Sequence, residues 1–268
     1  MHSEGTCHMT LRITLEHRNH LWSAEGHPVD LSVPVNPYNG LPRAWYKGPA
    51  AAEPVRTDNW TGSVAEGGAV NFRDLTFNPH AHGTHTETRE HIHDTFQPID
   101  ARARGAALPF VLPAFFIEAA PEQRGENWEV SLEAIHPFMQ TIQTLKPSAL
   151  VLKCTNGDVL RDWSDSNPPF LEDGFAEQLC LLGIEHLLID LPSVDQEVDG
   201  GHLRAHNAFF GPAVNPRPNA TISELLGIPN GLNQGPGLLS LQVAPMVNDA
   251  APSRPVWFPA QVHGMAHS

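Results

Sequence analysis

The segment from Pro168 to Asp195, PPFLEDGFAEQLCLLGIEHLLIDLPSVD, constrains the fold more than any other part of the sequence. Apolar residues at helical spacing precede Gly183, and a short run of Leu and Ile follows it, which predicts a helix, a turn and a buried strand. A second apolar run, SALVLKCTN at residues 148–156, is also typical of a buried strand. Helices that alternate with buried strands predict an α/β or α+β fold with a mixed sheet flanked by helices.

The first half of the chain has more strand patterns. Residues 9–25 alternate apolar and polar side chains and predict a strand or a hairpin, while residues 27–37 predict a further strand that ends at a proline. Asn71–Phe77 predicts another strand. Residues 36–68 are rich in Pro, Gly and Ala and predict a long irregular loop. Residues 127–142, NWEVSLEAIHPFMQTI, have apolar residues at helical spacing and predict a helix.

Charge and cysteine usage exclude several classes of partner. The formal net charge is -14, and such an acidic surface repels phosphate backbones and anionic lipid, so no nucleic acid and no membrane is expected as a partner. No apolar run reaches the roughly 18 residues of a membrane span, and the first residues lack a signal-peptide pattern. Cys7, Cys154 and Cys180 are far apart, as in a reduced intracellular protein. We expect a cytoplasmic protein and, since no linker is evident, one domain over residues 1–268.

Histidines and glutamates crowd the stretch NPHAHGTHTETREHI at residues 78–92. Imidazole and carboxylate groups together hold hard-to-borderline metal ions, whereas a solvated polar loop is the alternative interpretation. Side chains of an extended strand alternate between two faces, so His85, Glu87, Arg89 and His91 would share one face. His85 and Glu87 could then bind one ion together, with His91 near the metal.

The first ligand of such a site is either His80 or His82. His80 has the wrong parity for the face of His85 unless a turn or bulge at Gly83 brings it back. Glycine is sterically free to adopt such a conformation. His82 competes for the same position.

The same stretch resembles the metal-binding signature of the cyclase family of metal-dependent hydrolases, which includes bacterial kynurenine formamidase. The commoner form of that signature is H-x-G-T-H-x-D-x-P-x-H. The chain keeps the G-T-H core as residues 83–85 and the final histidine as His91. Glu87 stands in place of the usual Asp, Arg89 replaces the usual Pro, and one extra residue separates His80 from the glycine. The first ligand is therefore His80 across a one-residue bulge, with His82 as the alternative.

Other segments extend the resemblance over most of the chain, from about Asp30 to Phe258. They are DLSVPV at 30–35, the region 167–201, LRAHNAFFG at 203–211, TISELL at 221–226 and the region 238–258. In the family, a further histidine and a glutamate from the second half complete a two-metal centre, and the matching positions are His206 and Glu224. The implied metal ligands are His80, His85, Glu87, His206 and Glu224.

Both later positions also have plain structural interpretations. His206 could be an exposed polar residue beside a helix or strand. Glu224 follows Thr221 by three residues, so it could close a capping box. Asp195 and His202 are rivals for the metal, although Asp195 is expected to shape the turn after the buried strand.

The resemblance implies a compact domain of the swivelling β/β/α type that is usually dimeric, with one or two zinc or manganese ions per chain. The expected activity is hydrolysis of a small non-peptide amide by metal-activated water. N-formyl amides such as N-formylkynurenine, lactams and cyclic imides are candidate substrates. His91 would act as general base for the water and then as general acid for the leaving nitrogen. Trp45 and Trp60, in the long early loop, could line an aromatic substrate pocket or pin the loop to the core.

Rival functions have weaker support. The sequence has no G-x-S-x-G elbow of a serine hydrolase and no P-loop or dinucleotide fingerprint. A non-catalytic metal-binding protein that keeps the cyclase fold is the remaining alternative. His91 distinguishes the two, because a basic group beside the ligands serves a hydrolase and not a mere metal binder.

Overall fold

A large mixed sheet dominates the computed structural model, which describes residues 11–94 and 110–264. Within those ranges the strands are β1 Leu11–His17, β2 His20–Gly26, β3 Val29–Asp30, β4 Ala51–Pro54, β5 Arg56–Thr57, β6 Trp60–Thr61, β7 Arg73–Thr76, β8 His85–Thr88, β9 Leu112–Glu118, β10 Glu122–Arg124, β11 Asn127–Val130, β12 Ala149–Lys153, β13 Phe170–Leu171, β14 His186–Ile189, β15 Thr221–Glu224, β16 Gly235–Val243 and β17 Ala250–Gly264. The α-helices there are short: α1 Met139–Leu145, α2 Phe175–Leu181 and α3 Arg204–Phe210.

Seven strands of the large sheet close into a ring. Strands β9, β12, β14 and β15 run parallel, and β16 and then β17 add antiparallel beside β9. At the other end β8 pairs antiparallel with β15 and also with the beginning of β17, at Ala250–Pro252. The end of β17 continues past the ring and pairs with the β1–β2 hairpin. Ring closure leaves β8 paired along both sides.

The central parallel strands are apolar on both faces, because both faces are covered. In β12, Leu150 and Leu152 belong to a buried cluster that includes side chains of α2 and α3. Ala149 and Val151, which point the other way, belong to a second buried cluster together with Trp257 of β17. Helices therefore cover the outer face of the ring, and apolar side chains fill its inner face.

Much of the predicted strand pattern is confirmed, and with it the α/β fold with a mixed sheet. The helix and buried strand around Gly183 are α2 and β14, and Gly183 has a φ of 80°, which suits glycine. The hairpin predicted in residues 9–25 is formed by β1 and β2, and SALVLKCTN contains β12. The loop predicted at residues 36–68 is mostly irregular but also contains the short strands β4, β5 and β6.

The helix predicted over residues 127–142 is wrong over most of its length. Its first part is strand β11, two 3-10 turns follow, and α1 begins only at Met139. Pro137 lies in the second of these turns. Proline has no backbone N–H and disfavours helical backbone at the preceding residue, so a helix cannot run through this position without strain.

Two further features concern the expectations about the location of the protein. Cys154 is buried and Cys180 is partly buried, and both are free thiols, while Cys7 lies outside the described residues. Within the ranges that the structure describes, no helix combines the length and the apolar character that a membrane crossing requires.

Candidate metal centre

Strand β8 holds two of the predicted ligands, His85 and Glu87, on one face. Both are fully buried, because β8 is paired on both sides. His85 lies opposite Glu224 of β15, and Glu87 lies opposite Ile222. Ile222 packs in the outer cluster together with residues of α3. This face of β8 therefore points toward α3.

His91 approaches the same carboxylate from a turn and not from the strand. The extended backbone ends at Thr88, and Arg89–His91 form a 3-10 helix, so the prediction that Arg89 and His91 continue the strand face is wrong. The turn brings the His91 ring back toward β8: its Nε2 lies 3.7 Å from Glu87 Oε2. The ring also stacks on His80, with 4.3 Å between ring centroids.

His80 enters the site and His82 does not. His80 Nδ1 lies 3.2 Å from Glu87 Oε2. Both nitrogens of His82 bind backbone instead: Nδ1 accepts the N–H of Asn78 at 2.8 Å, and Nε2 donates to the carbonyl of Gly48 at 2.8 Å. Of the two candidates for the first ligand, His80 is therefore the one whose ring nitrogen faces the site.

Gly83 is required by a close approach of two chain segments, not by an unusual φ. Its φ is not positive, and a Cβ at this position would lie 2.9 Å from Val33 O and 3.0 Å from Val35 N. Thr84 holds the segments together, since its N–H donates to Val33 O at 2.9 Å and its Oγ1 accepts the Val33 N–H at 2.7 Å. The chain bends at Gly83 and His80 reaches Glu87, but the need for glycine comes from this close approach and not from a positive φ.

Replacing Gly83 with alanine should therefore loosen the segment that leads into β8. Because the added methyl group meets backbone atoms that cannot turn aside, we expect the free energy of unfolding to fall by about 1–3 kcal/mol, as in overpacked cores. Urea denaturation of the metal-free protein measures this. Gly48→Ala is the matched control, because a Cβ there meets nothing within 4 Å. Equal stability of the two variants would contradict the close-approach argument.

His206 and Glu224 converge on β8 although they follow it by more than a hundred residues. His206, on α3, places Nε2 at 2.9 Å from Glu87 Oε1 and at 3.8 Å from Glu224 Oε1. Glu224 Oε2 lies 3.4 Å from His85 Nε2. Both residues are buried, and Glu224 is the last residue of β15, so neither an exposed His206 nor a capping box at Glu224 describes them.

Two of the imidazole rings are held in place by hydrogen bonds at Nδ1, the nitrogen that points away from the site. His85 Nδ1 lies 3.1 Å from the carbonyl of Gly83, and His206 Nδ1 lies 2.6 Å from Asp195 Oδ2. Donation of an N–H to each acceptor leaves Nε2 facing into the site, where it can bind a metal when it carries no proton, the arrangement that metal-binding histidines adopt. Asp195 also accepts the N–H groups of Ala205 and His206, so it fixes the beginning of α3 as well as the ring.

The atoms that face one another fit a divalent cation. Four buried atoms at the centre have no hydrogen-bond partner among the described residues: His85 Nε2, His206 Nε2 and both carboxylate oxygens of Glu87. Buried polar atoms are almost always paired, so these four facing atoms fit a bound cation. Three sets of three residues each offer ligand atoms within 4.8 Å of one another, and each two of these sets have one residue in common, which is His80, Glu87 or His91. Mixed imidazole and carboxylate donors suit zinc and manganese.

Opposite charges dominate the electrostatics of the metal-free site. Burial alone lowers the pKa of His80, but the hydrogen bond to Asp249 and the nearby carboxylate of Glu87 raise it to about 10. Burial likewise lowers the pKa of His206, and Glu87 and Asp195 more than reverse this, so it stands well above its ordinary value. For Glu87, burial raises the pKa of the carboxyl, but His206 and His91 hold it well below its usual range.

Asp249 belongs to this site and was not identified as a candidate from the sequence. Its Oδ2 lies 2.9 Å from His80 Nε2 and 3.1 Å from His91 Nδ1. Hydrogen bonds from these two rings hold the pKa of its carboxyl well below the usual range. Asp249 precedes β17, and only the pairing of β17 with β8 brings it here. No ligand spacing in the sequence relates it to residues 78–92.

The predicted aromatic residues lie in other surroundings. Trp45 packs against a buried cluster that contains Leu225, the neighbour of Glu224. Trp60 is 40% exposed, and its ring meets that of Phe72 edge-on at 5.9 Å. Their role in substrate binding stays a prediction. His202, the other rival for the metal, precedes α3 and is exposed.

Comparison with known proteins identifies the family of this architecture. The family model of putative cyclases matches residues 29–196. A predicted metal-dependent hydrolase from Bacillus stearothermophilus has a similar structure, with a TM-score of 0.55 and 17% sequence identity over 87% of this chain and 98% of that one.

Isatin hydrolases have the same fold. Isatin hydrolase A from Labrenzia aggregata, bound to benzyl benzoate, has a TM-score of 0.58 and 13% identity over 87% of this chain and 93% of that one. Isatin hydrolase A from Ralstonia solanacearum has a TM-score of 0.57 and 12% identity over 87% and 91% of the two chains. At these identities the likeness concerns the fold.

Proposed function

This chain belongs to the putative cyclase family, and from that premise we propose that it is a metal-dependent hydrolase of small non-peptide amides. One observation carries the proposal: unpaired, buried imidazole and carboxylate atoms of β8 and α3 face one another around Glu87, and Glu224 of β15 lies beside them. The structures similar to this one, a predicted metal-dependent hydrolase and isatin hydrolases, support the reaction class. Isatin is a cyclic amide, so a lactam, a cyclic imide or an N-formyl amide such as N-formylkynurenine is the proposed substrate type.

In this proposal five side chains hold one or two zinc or manganese ions. Glu87 is the central ligand, because its two oxygens face different imidazoles: Oε1 faces His206 and Oε2 faces His80. Both oxygens of this carboxylate would be available to hold metal. The complete proposed set is His80, His85, Glu87, His206 and Glu224.

A divalent ion bound here would lower the pKa of a bound water toward neutrality and polarise the carbonyl of the substrate. The protein must then move one proton. His91 Nε2, 3.7 Å from Glu87 Oε2, is the proposed acceptor of the water proton and its donor to the leaving nitrogen. The side chain of His91 is 30% exposed, whereas that of His85 is fully buried, so His91 is open to a substrate.

The balance of the reaction is simple. The amide C–N bond breaks, the hydroxyl of water joins the carbonyl carbon, and a proton joins the nitrogen. His91 therefore ends each cycle in its starting state. This requirement separates the hydrolase from the alternative of a non-catalytic metal-binding protein, which has no use for a basic group at this position.

A substrate panel tests the proposed function. Zinc-loaded and manganese-loaded protein should hydrolyse at least one of isatin, N-formylkynurenine and a small cyclic imide such as succinimide, and chelator-treated protein should hydrolyse none of them. Turnover that survives complete metal removal would contradict the mechanism. A fully loaded protein that is inactive on the whole panel would contradict the substrate class. The dimeric state, the cytoplasmic location and the single domain over residues 1–268 stay predictions.

Metal binding should release protons, and its affinity should fall as the pH falls. The pKa of His80 is raised to about 10, so its ring is protonated at neutral pH, and the pKa of His206 is raised as well; a proton on the metal-facing nitrogen of either ring must leave before a metal can bind. Each displaced proton weakens the apparent affinity by about tenfold per pH unit below its pKa. Calorimetric titration with Zn²⁺ in buffers of different ionisation enthalpy counts the protons. Binding without net proton release would show that these rings are not ligands.

A further inference from the structure

We propose that Asp249 is a positioning residue that orients both a metal ligand, His80, and the proton-transfer residue, His91. The proposal deepens the proposed function, on which the roles of these two histidines rest. Asp249 does not need to touch substrate or metal for this role. It acts through the two imidazoles that it holds.

The contacts of Asp249 are unusual because one oxygen serves two rings. Oδ2 lies 2.9 Å from His80 Nε2 and 3.1 Å from His91 Nδ1. The two rings stack with an interplanar angle of 30°. An ionised carboxylate only accepts hydrogen bonds, so both ring nitrogens that face it must carry a proton. Charge-assisted hydrogen bonds of this kind are about twice as strong as neutral ones.

These protons fix which nitrogen of each ring remains available. With its proton on Nε2, His80 directs Nδ1 toward Glu87, 3.2 Å from Oε2, so Nδ1 is the nitrogen that would bind a metal once it has lost its own proton. With its proton on Nδ1, His91 presents the Nε2 lone pair toward the same carboxylate oxygen at 3.7 Å. One carboxylate therefore sets the tautomer of a proposed metal ligand and of the proposed base. It also fixes the orientation of the two rings relative to each other.

The position of Asp249 does not depend on its own side chain. Its carbonyl accepts the Thr88 N–H at 3.0 Å, and β17 begins at the next residue, where Ala250 pairs with Glu87 of β8. The strand pairing therefore holds the backbone in place when the carboxylate is removed. Substitutions at Asp249 should therefore change the orientation of the His80 and His91 rings more than they change the folding of the protein.

A rival role for Asp249 is direct metal binding. Asp249 Oδ2, with a nitrogen from His80 and one from His91, forms one of the three sets of ligand atoms that lie within 4.8 Å of one another. If Asp249 were a ligand, its removal would lower the number of ions bound per chain. If it only orients the rings, that number should be unchanged at saturating metal.

The experiment compares Asp249→Ala and Asp249→Asn with the matched control Asn248→Ala. Asn248 is the preceding residue, and its side chain bonds only to the carbonyl of Ala250 among the described residues. Three quantities are measured on zinc-loaded protein: the zinc content at saturation, kcat and KM on the best substrate of the panel, and the histidine tautomers by ¹⁵N NMR. Resonances of His80 and His91 are assigned by comparison with single substitutions of each.

For Asp249→Ala we expect unchanged zinc content at saturation, a fall in kcat of about 10–100-fold with little change in KM, and loss of the single His91 tautomer. Asp249→Asn should recover part of kcat, since an amide oxygen can still accept an N–H but without the charge. Asn248→Ala should match the wild type in all three quantities.

Each contrary outcome is decisive. Wild-type kcat and an unchanged His91 tautomer in Asp249→Ala would overturn the proposal, and so would the loss of one zinc ion per chain, which would make Asp249 a ligand. A wild-type protein that binds zinc but hydrolyses no amide would contradict the proposed function alone, because the tautomer measurement still decides the role of Asp249.

Discussion

Replacing His85 with alanine is expected to strip the centre of metal and abolish hydrolysis. His85 is fully buried, and its Nε2 faces Glu224 Oε2 at 3.4 Å while its Nδ1 is tied to the carbonyl of Gly83. Its removal leaves the carboxylates without one of their imidazole partners and the coordination sphere incomplete. Because a bound ion contributes several kcal/mol to stabilising the transition state, kcat should fall at least about 10³-fold.

Elemental analysis and rate are measured on the same preparations. His136→Ala, which removes an exposed imidazole from a 3-10 turn, is the matched control and should keep both metal and rate. Since His85→Ala also opens a cavity in the core, His85→Leu serves as a second variant that fills more of the space and has no ligand atom. Full metal content in a folded His85→Leu protein would remove His85 from the ligand set.

Replacing His91 with alanine should have a different signature: the metal stays and turnover is lost. General acid–base catalysis contributes typically about 10²–10⁴-fold, so kcat should fall within that range. The difference from His85 follows from exposure and from position. His91 sits on a turn at the edge of the site with a partly exposed side chain, whereas His85 is enclosed between two strands.

The contrary result for His91 is well defined, because its Nε2 is close enough to Glu87 and His206 for the three to share an ion. If His91→Ala loses its metal as completely as His85→Ala, then His91 is a ligand and the base must be another group. If His91→Ala keeps both metal and rate, no proton transfer passes through this ring.

The sequence predicts the part of the site that lies within one segment. Alternation along an extended strand is a local property, so His85 and Glu87 could be assigned to one face from their spacing alone. The same rule failed four residues later, because Thr88 caps a 3-10 turn: its Oγ1 accepts the N–H of Glu90 at 3.2 Å. Residues 89–91 include no glycine or proline, so the sequence does not predict a turn there.

The long-range part of the site depends on topology that periodicity does not encode. Glu224 reaches His85 because β15 pairs with β8, and His206 reaches Glu87 because α3 packs on the same face. Family resemblance supplied both positions, whereas their local sequence favoured plain structural roles. Asp249 lies within the region of the resemblance but has no local ligand pattern, because periodicity does not encode the closure of the ring between β17 and β8.

The choice between His80 and His82 as the first metal ligand also depends on the fold. Both flank the same alanine, and sequence spacing treats them almost alike. The backbone decides between them, because Asn78 and Gly48 occupy both nitrogens of His82 and leave His80 to face Glu87. The tight contact of Gly83 with residues 33–35 sets the position of this segment.

Stepwise return of metal to the stripped protein tests the central claim most directly. The measurement follows the hydrolysis rate on the best substrate of the panel and the bound zinc or manganese, both per chain, during the titration. We predict no hydrolysis without metal, a rate that rises in proportion to bound ion, and a plateau at one or two ions per chain. A protein that binds no ion, or whose rate is the same at every point of the titration, would contradict the assignment of this centre as the site of hydrolysis.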